Sequence, residues 1–368
     1  MNTVAFVKCA DYNDGLATAV ARAFELSGWK AAEALSGKYI LVKPNLLTDR
    51  KPEQATTTHP EVVREVIRWL KQRGAYVVVG DSPASTANLK NVWEISGLRA
   101  VCDEEQVTLL SLEQAGVKSF DVEGFSFAIA QPVLEADYII NLPKVKSHAL
   151  TLLTAAVKNI YGVLPGYSKT LLHRQYPKTK DFGRLVSTLW TVLPPSITLA
   201  DGIVGMEGQG PASGTPVNLG FLAASENPFA LDRALCDVLH IDPQRVPYLT
   251  GQQGQDYTCV GDAITVRSFA VPSGAHVLNL LPERVIQWLG RVVWVRPAFS
   301  ETACIRCGKC VKACPVNALS LDNAAHPPRL RAKACISCCC CHEVCPADAI
   351  RMTQSFVLRT LKVFKGIE

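Results

Sequence analysis

The sequence lacks any uncharged apolar run of roughly 18 residues, the minimum for a helix that crosses a bilayer, so we expect no membrane span. It also lacks a basic segment followed by an apolar run near Met1, so we expect no signal peptide and a cytoplasmic location. Charged residues make up only 19% of the 368 residues and hydrophobic residues 48%, which excludes a disordered chain. A chain of this length and composition buries a large core and accommodates two domains.

Cysteine is scarce over most of the chain and dense near its end. Ten of the 14 cysteines lie between Cys304 and Cys345, and the other four are scattered, as is typical of small core residues. Secreted disulfide proteins spread their cysteines over a short chain, so this arrangement indicates reduced thiols that hold a metal cofactor. Positive charge is concentrated in the same place, because residues 301–368 carry 10 basic and 5 acidic residues, whereas residues 1–300 carry 28 of each.

The cysteines of this segment repeat one spacing twice. The pattern Cys-x2-Cys-x2-Cys-x3-Cys-Pro starts at Cys304 and again at Cys335. Three thiolates two residues apart hold three corners of a cubane, and the fourth, on the next helical turn, reaches the other cluster. The sequence therefore predicts two [4Fe–4S] clusters in a domain similar to bacterial dicluster ferredoxins. The predicted ligands are Cys304, Cys307, Cys310 and Cys345 for cluster 1, and Cys335, Cys338, Cys341 and Cys314 for cluster 2.

Zinc and haem are the alternative cofactors for these cysteines. A zinc ribbon also uses paired Cys-x2-Cys units, but it needs only four ligands and leaves the Cys-Pro endings unexplained. Cys338, Cys341 and His342 match the attachment motif of a c-type haem, although both cysteines already belong to the ferredoxin pattern. We give Cys339 and Cys340 no ligand role, but they leave open a slipped register for cluster 2.

The large domain alternates strand-like and helix-like patterns. This alternation favours an α/β fold with a mostly parallel sheet and helices on both faces, followed by a small α+β ferredoxin-like dicluster domain. The predicted strands are 3–8, 39–43, 75–80, 107–112, 137–142, 196–200, 217–223 and 264–269, and the predicted helices are 17–26, 59–73 and 230–239. The predicted organisation is an α/β domain at 1–281, a linker helix at 282–299, a 2×[4Fe–4S] domain at 300–352 and a C-terminal helix at 353–368.

Polar side chains follow several of the predicted strands. In an open parallel sheet, the strand ends meet at one rim where ligands bind. The segment 141–184 carries eight basic residues and one acid, which favours anions nearby, although a solvated surface is the alternative. The catalytic candidates are His148, with an ordinary pKa suited to proton transfer, Lys158, Asp81 and Glu207. The candidates for substrate binding are Lys43, Asn45, Lys144, Lys146, Asn159 and Asp201, although Asp81 and Asp201 alternatively cap turns.

Six motifs occur in order along the large domain, with Asp232 behind them. They are Val-Lys-Pro-Asn-Leu at 42–46, Thr-Thr-His-Pro-Glu-Val-Val at 57–63, Gly-Asp-Ser-Pro at 80–83, Asn-Leu-Pro-Lys-Val-Lys-Ser-His at 141–148, Lys-Asn-Ile-Tyr-Gly at 158–162 and Asp-Gly-Ile-Val-Gly-Met-Glu-Gly-Gln-Gly-Pro at 201–211. Together they resemble the ferredoxin-fused iron–sulfur "domain of unknown function 362" family over about residues 1–260. The resemblance implies the architecture and leaves the reaction open. Asn227 stands where this family pattern has an aspartate before Pro228.

Three functions are compatible with these features. The first is a redox enzyme that moves electrons between the clusters and a small anionic substrate, with a partner such as an acidic ferredoxin or a flavodoxin, in anaerobic metabolism. The second is a non-catalytic electron-transfer or assembly protein. The third is an isomerase similar to nickel-pincer lactate racemases, based on His148, Lys158 and Pro165-Gly166-Tyr167, although Ala155-Ala156 replaces their Gly-Gly. We expect no nucleic-acid binding, since no aromatic platform accompanies the basic residues. A flavin, a further metal and a homodimer are left open.

Overall fold

Strands and helices alternate along the large domain, as the sequence predicts. The computed structural model describes residues 1–83, 88–113, 115–176, 178–252, 256–272, 295–322, 326–338 and 340–355. The strands are β1 (Asn2–Lys8), β2 (Tyr39–Pro44), β3 (Tyr76–Asp81), β4 (Thr108–Ser111), β5 (Val117–Val122), β6 (Phe125–Ala130), β7 (Tyr138–Leu142), β8 (Lys144–His148), β9 (Leu152–Thr154), β10 (Ser196–Glu207), β11 (Thr215–Ser225) and β12 (Tyr257–Gly261). The α-helices are α1 (Leu16–Leu26), α2 (Pro60–Lys71), α3 (Leu89–Ile95), α4 (Leu98–Glu104), α5 (Gln131–Glu135), α6 (Ala156–Asn159), α7 (Gly166–Gln175), α8 (Thr179–Leu189) and α9 (Pro228–Val238). Short 3-10 helices are Lys30–Ala34, Pro52–Gln54, Ile160–Val163, Trp190–Val192 and Pro243–Arg245.

Ten strands of the described residues form one mixed sheet. Its order is β12-β1-β11-β10-β7-β2-β3-β4, with β8 pairing with β10 and β9 pairing with β8. Strands β10, β7, β2, β3 and β4 are parallel, and only β11 and β9 run antiparallel to their neighbours among these strands. The mostly parallel sheet predicted from the sequence is therefore confirmed. The ends of β1, β2, β3 and β7 lie along one edge, which we call the carboxyl edge.

Helices cover both faces of this sheet. Successive residues of a strand point to opposite faces, so Val4 and Phe6 pack into one core while Ala5 and Val7 pack into the other. Helices α1 to α4 contribute to the core on one face, and α6, α8 and α9 contribute to the core on the other. In the part of the chain that the structure describes, no helix is both long and apolar enough to cross a bilayer.

The strand predicted at 264–269 is wrong. The described residues 262–272 form no strand. Val266 and Phe269 are buried against the large core, and the Val266 carbonyl lies 2.9 Å from His240 Nε2. The alternation of apolar residues in this segment therefore reflects packing of an irregular stretch and not a ladder of strand pairs.

The C-terminal module, described over 295–322, 326–338 and 340–355, is small and built from two similar halves. Its elements are β13 (Val295–Phe299), α10 (Lys309–Lys312), β14 (Leu319–Ser320), β15 (Arg329–Leu330), α11 (Cys340–Glu343) and β16 (Ile350–Gln354). Arg306 and Ser337, at equivalent places in the two cysteine runs, have left-handed φ values of 59° and 58°. Asn317 and Asp348 are also equivalent, and both have φ of 49°. The repeated spacing therefore folds the same way twice.

Two predicted helices flank this module. The linker helix expected at 282–299 is wrong in its last five residues, which form β13 and pair with β16. Its earlier part, through residue 294, lies outside the described residues. The C-terminal helix expected at 353–368 is wrong at 353 and 354, which belong to β16, and its segment 356–368 also lies outside the described residues.

Charged contacts hold the C-terminal module against the carboxyl edge. Arg50 follows β2 and is only 5% exposed, and both of its terminal nitrogens lie 2.7 Å from the Asp348 carboxylate. The Arg50 Nη2 also donates to the carbonyl of Cys345 at 2.7 Å. A second pair joins Lys309 Nζ to Asp49 Oδ2 at 3.2 Å. The loop after β2 therefore contacts both halves of the module.

Candidate functional site

Each half of the C-terminal module contains a cavity lined by four cysteines. The cluster 1 cavity, of about 330 Å³, is lined by Cys304, Cys307, Cys310 and Cys345. Burial, and then the neighbouring cysteines of this set, raise the pKa of Cys310 to about 11. The cluster 2 cavity, of about 340 Å³, is lined by Cys314, Cys335, Cys338 and Cys341. The pKa of Cys341 is raised well above its ordinary value, chiefly by burial and then by Cys338 and Cys335. The fold thus assembles the two crossed sets that the spacing predicts.

These cavities fit an iron–sulfur cubane. The fourth cysteine of each run accepts a backbone N–H, from Ala318 to Cys314 Sγ at 3.1 Å and from Ala349 to Cys345 Sγ at 3.3 Å. Hydrogen bonds of this kind stabilise the thiolates and help to set a cluster's potential. Among the described residues, no three Cys, His, Asp or Glu side chains converge closely enough for a single metal ion. Four thiols spread around a cavity match a cubane better than one zinc ion.

Cys340 lies away from both cluster cavities. It is 7% exposed and lines a different cavity, whereas Cys338 and Cys341 line the cluster 2 cavity. The described geometry therefore gives no support to a slipped register through Cys340. Cys339 lies outside the described residues.

A larger cavity, of about 750 Å³, lies between the carboxyl edge and the C-terminal module. We call it the interdomain cavity. Its walls come from the segments that follow β2 and β3, from β8 and β9, from α6 and α7, and from the module. Three residues of the module line it, Ala313, Cys340 and Val344. Each directly precedes a cysteine of a cluster cavity, so one wall of this cavity is a single residue away from both clusters' predicted ligands.

An ion pair forms the floor of this cavity. Lys43 Nζ lies 2.8 Å from Asp81 Oδ1, and both side chains are almost fully buried. Asp81 also accepts the backbone N–H groups of Ser82 and Leu46, each at 2.8 Å. Burial lowers the pKa of Lys43, and the Asp81 carboxylate opposes this shift. Gly162 packs directly on the pair, since a side chain there would collide with both. Asp81 lines the cavity, whereas Lys43 lies behind it.

Three of the predicted basic residues reach the interdomain cavity, namely Lys146, His148 and Lys158. Lys146 Nζ donates to the Thr56 carbonyl at 2.6 Å. Lys158 Nζ lies 4.8 Å from the centre of the Tyr161 ring, a cation–π distance. His148 Nδ1 accepts the backbone N–H groups of two following residues at 3.0 and 3.3 Å. Because Nδ1 is an acceptor, the proton of the neutral ring sits on Nε2.

A chain of three amides connects β2, β7 and α6. Asn45 Nδ2 donates to Asn159 Oδ1 at 2.9 Å, and Asn159 Nδ2 donates to Asn141 Oδ1 at 2.8 Å. Asn141 Nδ2 donates to the Ala156 carbonyl at 3.0 Å. Asn45 and Asn159, both predicted to bind substrate, line the interdomain cavity.

Asp232 places α6 at the cavity. Its two carboxylate oxygens accept the backbone N–H groups of Ala156 at 2.8 Å and Val157 at 3.0 Å. Burial raises the pKa of Asp232 to about 7, although these hydrogen bonds act in the opposite direction. The helix that carries Lys158 and Asn159 is thereby fixed to α9. Asn227 in turn caps α9, since its Oδ1 accepts from Phe229 and Ala230 at 3.0 Å each.

Lys144 and Asp201 lie outside the interdomain cavity, in a separate cluster. Lys144 Nζ is 2.5 Å from Asp201 Oδ2 and 2.9 Å from the Tyr12 hydroxyl. Burial lowers the pKa of Lys144, and Asp201 opposes this shift. Tyr12 stacks on His59, with ring centres 3.6 Å apart. These contacts hold the segment after β1 against β10. They occupy the ammonium group of Lys144 and the carboxylate of Asp201.

Glu207 also lies outside the cavity. It is the last residue of β10, and its Oε2 accepts the backbone N–H of Ala270 at 2.7 Å. The glycine-rich turn that follows reaches the cavity at Pro211 and not through Glu207. In this structure Glu207 holds a neighbouring segment in place.

Sequence reasoning missed several residues of the cavity, among them Lys169, His173 and Thr154. Lys169 Nζ donates to the Ser82 hydroxyl at 2.9 Å and to the Ser82 and Pro83 carbonyls. Burial lowers the pKa of Lys169 to about 8, against the effect of Asp81 and Glu113. The basic excess of 141–184 includes Lys169, but the helix α7 that carries it has no marked apolar face, so the sequence gave no means of selecting it.

Comparison with known families agrees with this arrangement. Residues 40–237 match the family described as a domain of unknown function, DUF362. The chain belongs to this family. Residues 297–320 match a 4Fe-4S binding domain. The DUF362 match covers β2 to α9, which contribute most of the interdomain cavity, and the second match covers the first cysteine run.

Two individual proteins are similar to this DUF362 chain. The thylakoid-associated protein sll1697 of Synechocystis sp. (strain ATCC 27184 / PCC 6803 / Kazusa) is 34% identical over 219 residues, which are 59% of this chain and 68% of that protein. The lactate racemase apoprotein from Thermoanaerobacterium thermosaccharolyticum is 14% identical, with a TM-score of 0.43. That likeness covers 66% of this chain and 58% of the racemase, and it carries no argument about the reaction.

Proposed function

We propose that this protein is an iron–sulfur oxidoreductase in which two [4Fe–4S] clusters exchange electrons with a small anionic substrate in the interdomain cavity. Each bound cluster supplies or accepts one electron at a time. One observation carries the proposal: Ala313, Cys340 and Val344 line the cavity and directly precede predicted ligands of the clusters. A substrate in the cavity would be separated from both clusters only by a thin wall of protein.

The side chains of the cavity support an anionic substrate. Lys146, Lys158 and Lys169 line it, and Asp81, the one aspartate among the described lining residues, is neutralised by Lys43. Electron transfer to a substrate is normally accompanied by proton transfer. His148 suits that task, because it lines the cavity and its Nδ1 accepts backbone N–H groups, which places the proton of the neutral ring on Nε2. We retain Lys158 as an anion-binding group beside it, with Asn159 and Asn45 as polar contacts.

The remaining predicted residues take supporting roles in this proposal. Lys43 and Asp81 build the floor of the cavity, and Lys144, Asp201 and Glu207 hold neighbouring segments in place. Asp81 is unsuited to proton transfer, since its oxygens already accept from Lys43 and two backbone N–H groups. We also propose an α/β domain at 1–281, as the sequence predicts, and a dicluster domain that extends from β13 through β16 and not over 300–352 alone, since these two strands pair with each other.

We propose that the electrons are exchanged with an acidic ferredoxin or a flavodoxin at the cluster 1 edge. Cys307 is exposed there, and the neighbouring Ile305 is 63% exposed. The segment 301–368 has twice as many basic as acidic residues, which favours an acidic partner. Such a pairing fits a cytoplasmic protein of anaerobic metabolism.

The test is spectroscopic. The full chain, purified anaerobically, is expected to contain about eight irons and eight sulfides, and to give a paramagnetic signal after reduction with dithionite. Acetate and methylphosphonate, added as simple anions, are expected to shift that signal in the wild-type protein but not in Lys158→Gln. Zinc without sulfide would end the proposal. Intact clusters with no response to either anion would favour a non-catalytic electron carrier.

A further inference from the structure

Two polar groups of the interdomain cavity have no hydrogen-bond partner among the described residues. They are Asn45 Oδ1 and Thr154 Oγ1, and both residues line the cavity. Thr154 is only 3% exposed, so its hydroxyl is buried as well as without a partner among these residues. Buried polar groups in proteins are nearly always hydrogen-bonded. Two such groups in the wall of one cavity indicate that the cavity is built around a polar ligand.

The amide chain fixes what Asn45 offers to that ligand. The Ala156 carbonyl can only accept, so the group of Asn141 that contacts it must be the NH2. The Asn141 oxygen therefore accepts from Asn159, and the Asn159 oxygen accepts from Asn45. Each amide is oriented by the one before it. At the end of the chain, the NH2 of Asn45 is directed to Asn159, and the atom of Asn45 without a partner among the described residues is its carbonyl oxygen, which can only accept.

We infer that the ligand of this cavity is a small anion that also carries an O–H or N–H donor, and that Asn45 is the residue that selects for this donor. The inference rests on the proposed function, which gives the anionic part to Lys146 and Lys158. The hydroxyl of Thr154 both donates and accepts, so it accommodates either part of the ligand. An anion without a donor leaves Asn45 Oδ1 buried and unsatisfied, which is how a polar site rejects an analogue that lacks one group.

Matched pairs of anions test this inference by calorimetry on the cluster-loaded full chain. The pairs are acetate with glycolate, and methylphosphonate with hydroxymethylphosphonate, so that each pair differs by one hydroxyl and the two pairs separate carboxylates from phosphonates. We expect the hydroxylated member of at least one pair to bind on the order of 10-fold more tightly. Asn45→Leu, which is nearly isosteric, is expected to remove this preference while Lys158-dependent binding persists. Asn218→Leu, on the exposed part of β11, is the matched control.

Three results would overturn the inference, and they are distinguishable. Equal binding within both pairs, with binding still weakened in Lys158→Gln, would refute the donor requirement and leave the proposed function standing. A preference that survives in both Asn45→Leu and Thr154→Val would show that another group receives the donor. Absence of binding for all four anions would remove the proposed function and this inference with it. Iron content and the paramagnetic signal after reduction report whether each variant folds. The comparison within each pair of anions is made on the wild-type protein, so it does not depend on any variant.

Discussion

Arg50 and Asp348 join the two domains through a bidentate ion pair, with both nitrogen–oxygen distances at 2.7 Å. Asp348 also accepts from the Ser213 hydroxyl at 2.5 Å, so loops of the large domain grip it from two sides. Arg50 reaches past Asp348 to the carbonyl of Cys345 at 2.7 Å. A buried positive charge thus sits beside a predicted ligand of cluster 1, so the contact that docks the module would also act on the electrostatics of a cluster bound there.

Replacing Arg50 should therefore change the potential of cluster 1. A nearby positive charge stabilises the more negative, reduced state of a cluster, so Arg50→Gln is expected to lower the midpoint potential of cluster 1 more than that of cluster 2. Loss of the pair should also cost about 1–3 kcal/mol of stability. Redox titration followed by paramagnetic resonance measures both potentials. Arg64→Gln is the control, because Arg64 also pairs with several carboxylates but lies on α2. Equal shifts in the two clusters would contradict the prediction.

The crossed ligand sets lead to a second prediction. Cys345 belongs to the second cysteine run but lines the cluster 1 cavity. Cys345→Ser should therefore disturb the signal of the same cluster as Cys304→Ser, and Cys314→Ser that of the other. Iron analysis and paramagnetic resonance of the reduced variants distinguish the two clusters. Cys259→Ser, which changes an exposed cysteine of β12, should leave both signals intact. A match between Cys345→Ser and Cys335→Ser would refute the crossed arrangement.

Local patterns explain why the cysteine sets and the sheet were predictable. The run from Cys304 brings its own residues together through short turns, and only Cys345 needs the tertiary fold. The strands that end at Pro44, Asp81 and Leu142 were visible as apolar segments with polar residues behind them. Their common carboxyl edge follows from parallel pairing alone.

Long-range pairing explains what the sequence could not reveal. Lys43 ends one predicted strand, 39–43, and Lys144 and Lys146 follow another, 137–142, and nothing local distinguishes them. Lys43 and Lys144 form ion pairs with Asp81 and Asp201, which are distant from them in the chain, whereas Lys146 reaches the cavity. The contact between Arg50 and the second cysteine run has no sequence signal at all, although it forms the boundary of the site.

Two lysines of the basic segment 141–184 distinguish a role in ligand binding from a merely solvent-exposed position. Lys158 lines the interdomain cavity, whereas Lys180 is exposed on α8. Lys158→Gln is expected to weaken binding of acetate by on the order of 10-fold, because one charge-assisted hydrogen bond is lost. Lys180→Gln should leave the affinity unchanged. Calorimetry measures both, and equal effects would mean that the segment acts only through its overall charge.

Asp232 is expected to act as a positioning residue with a pH signature. Its pKa of about 7 in the folded protein lies above the value of about 4 expected when unfolded. Between these values the folded state binds a proton that the unfolded state does not, so this group's contribution to stability falls as pH rises from about 4 to 7. Asp232→Asn should remove that slope, cost about 1–3 kcal/mol through the lost contact with the N-terminus of α6, and weaken binding at Lys158.

Denaturant unfolding across this pH range, together with acetate binding, tests that prediction. Asp242→Asn is the matched control, since Asp242 also accepts a backbone N–H but is exposed. Unchanged stability slopes in Asp232→Asn would contradict a protonated native carboxyl. Normal acetate affinity would instead show that α6 keeps its position without this contact.

Lys169 gives the cavity a second pH dependence. Its pKa of about 8 is lowered mainly by burial, so the folded protein loses this charge at a pH where an exposed lysine keeps it. Because acetate itself does not titrate in this range, a change in its affinity reports the charge of Lys169. The affinity is expected to fall as pH rises through about 8, since Lys169 loses its positive charge there. Lys169→Gln should bind acetate more weakly and without that pH dependence.

The contribution of Lys169 to stability changes with pH in the opposite direction. Between pH of about 8 and 10.4 the unfolded state binds a proton that the folded state does not, so the free energy of unfolding rises with pH in this range. A wild-type affinity that stays constant to pH of about 9 would show that the Lys169 charge does not act on the ligand.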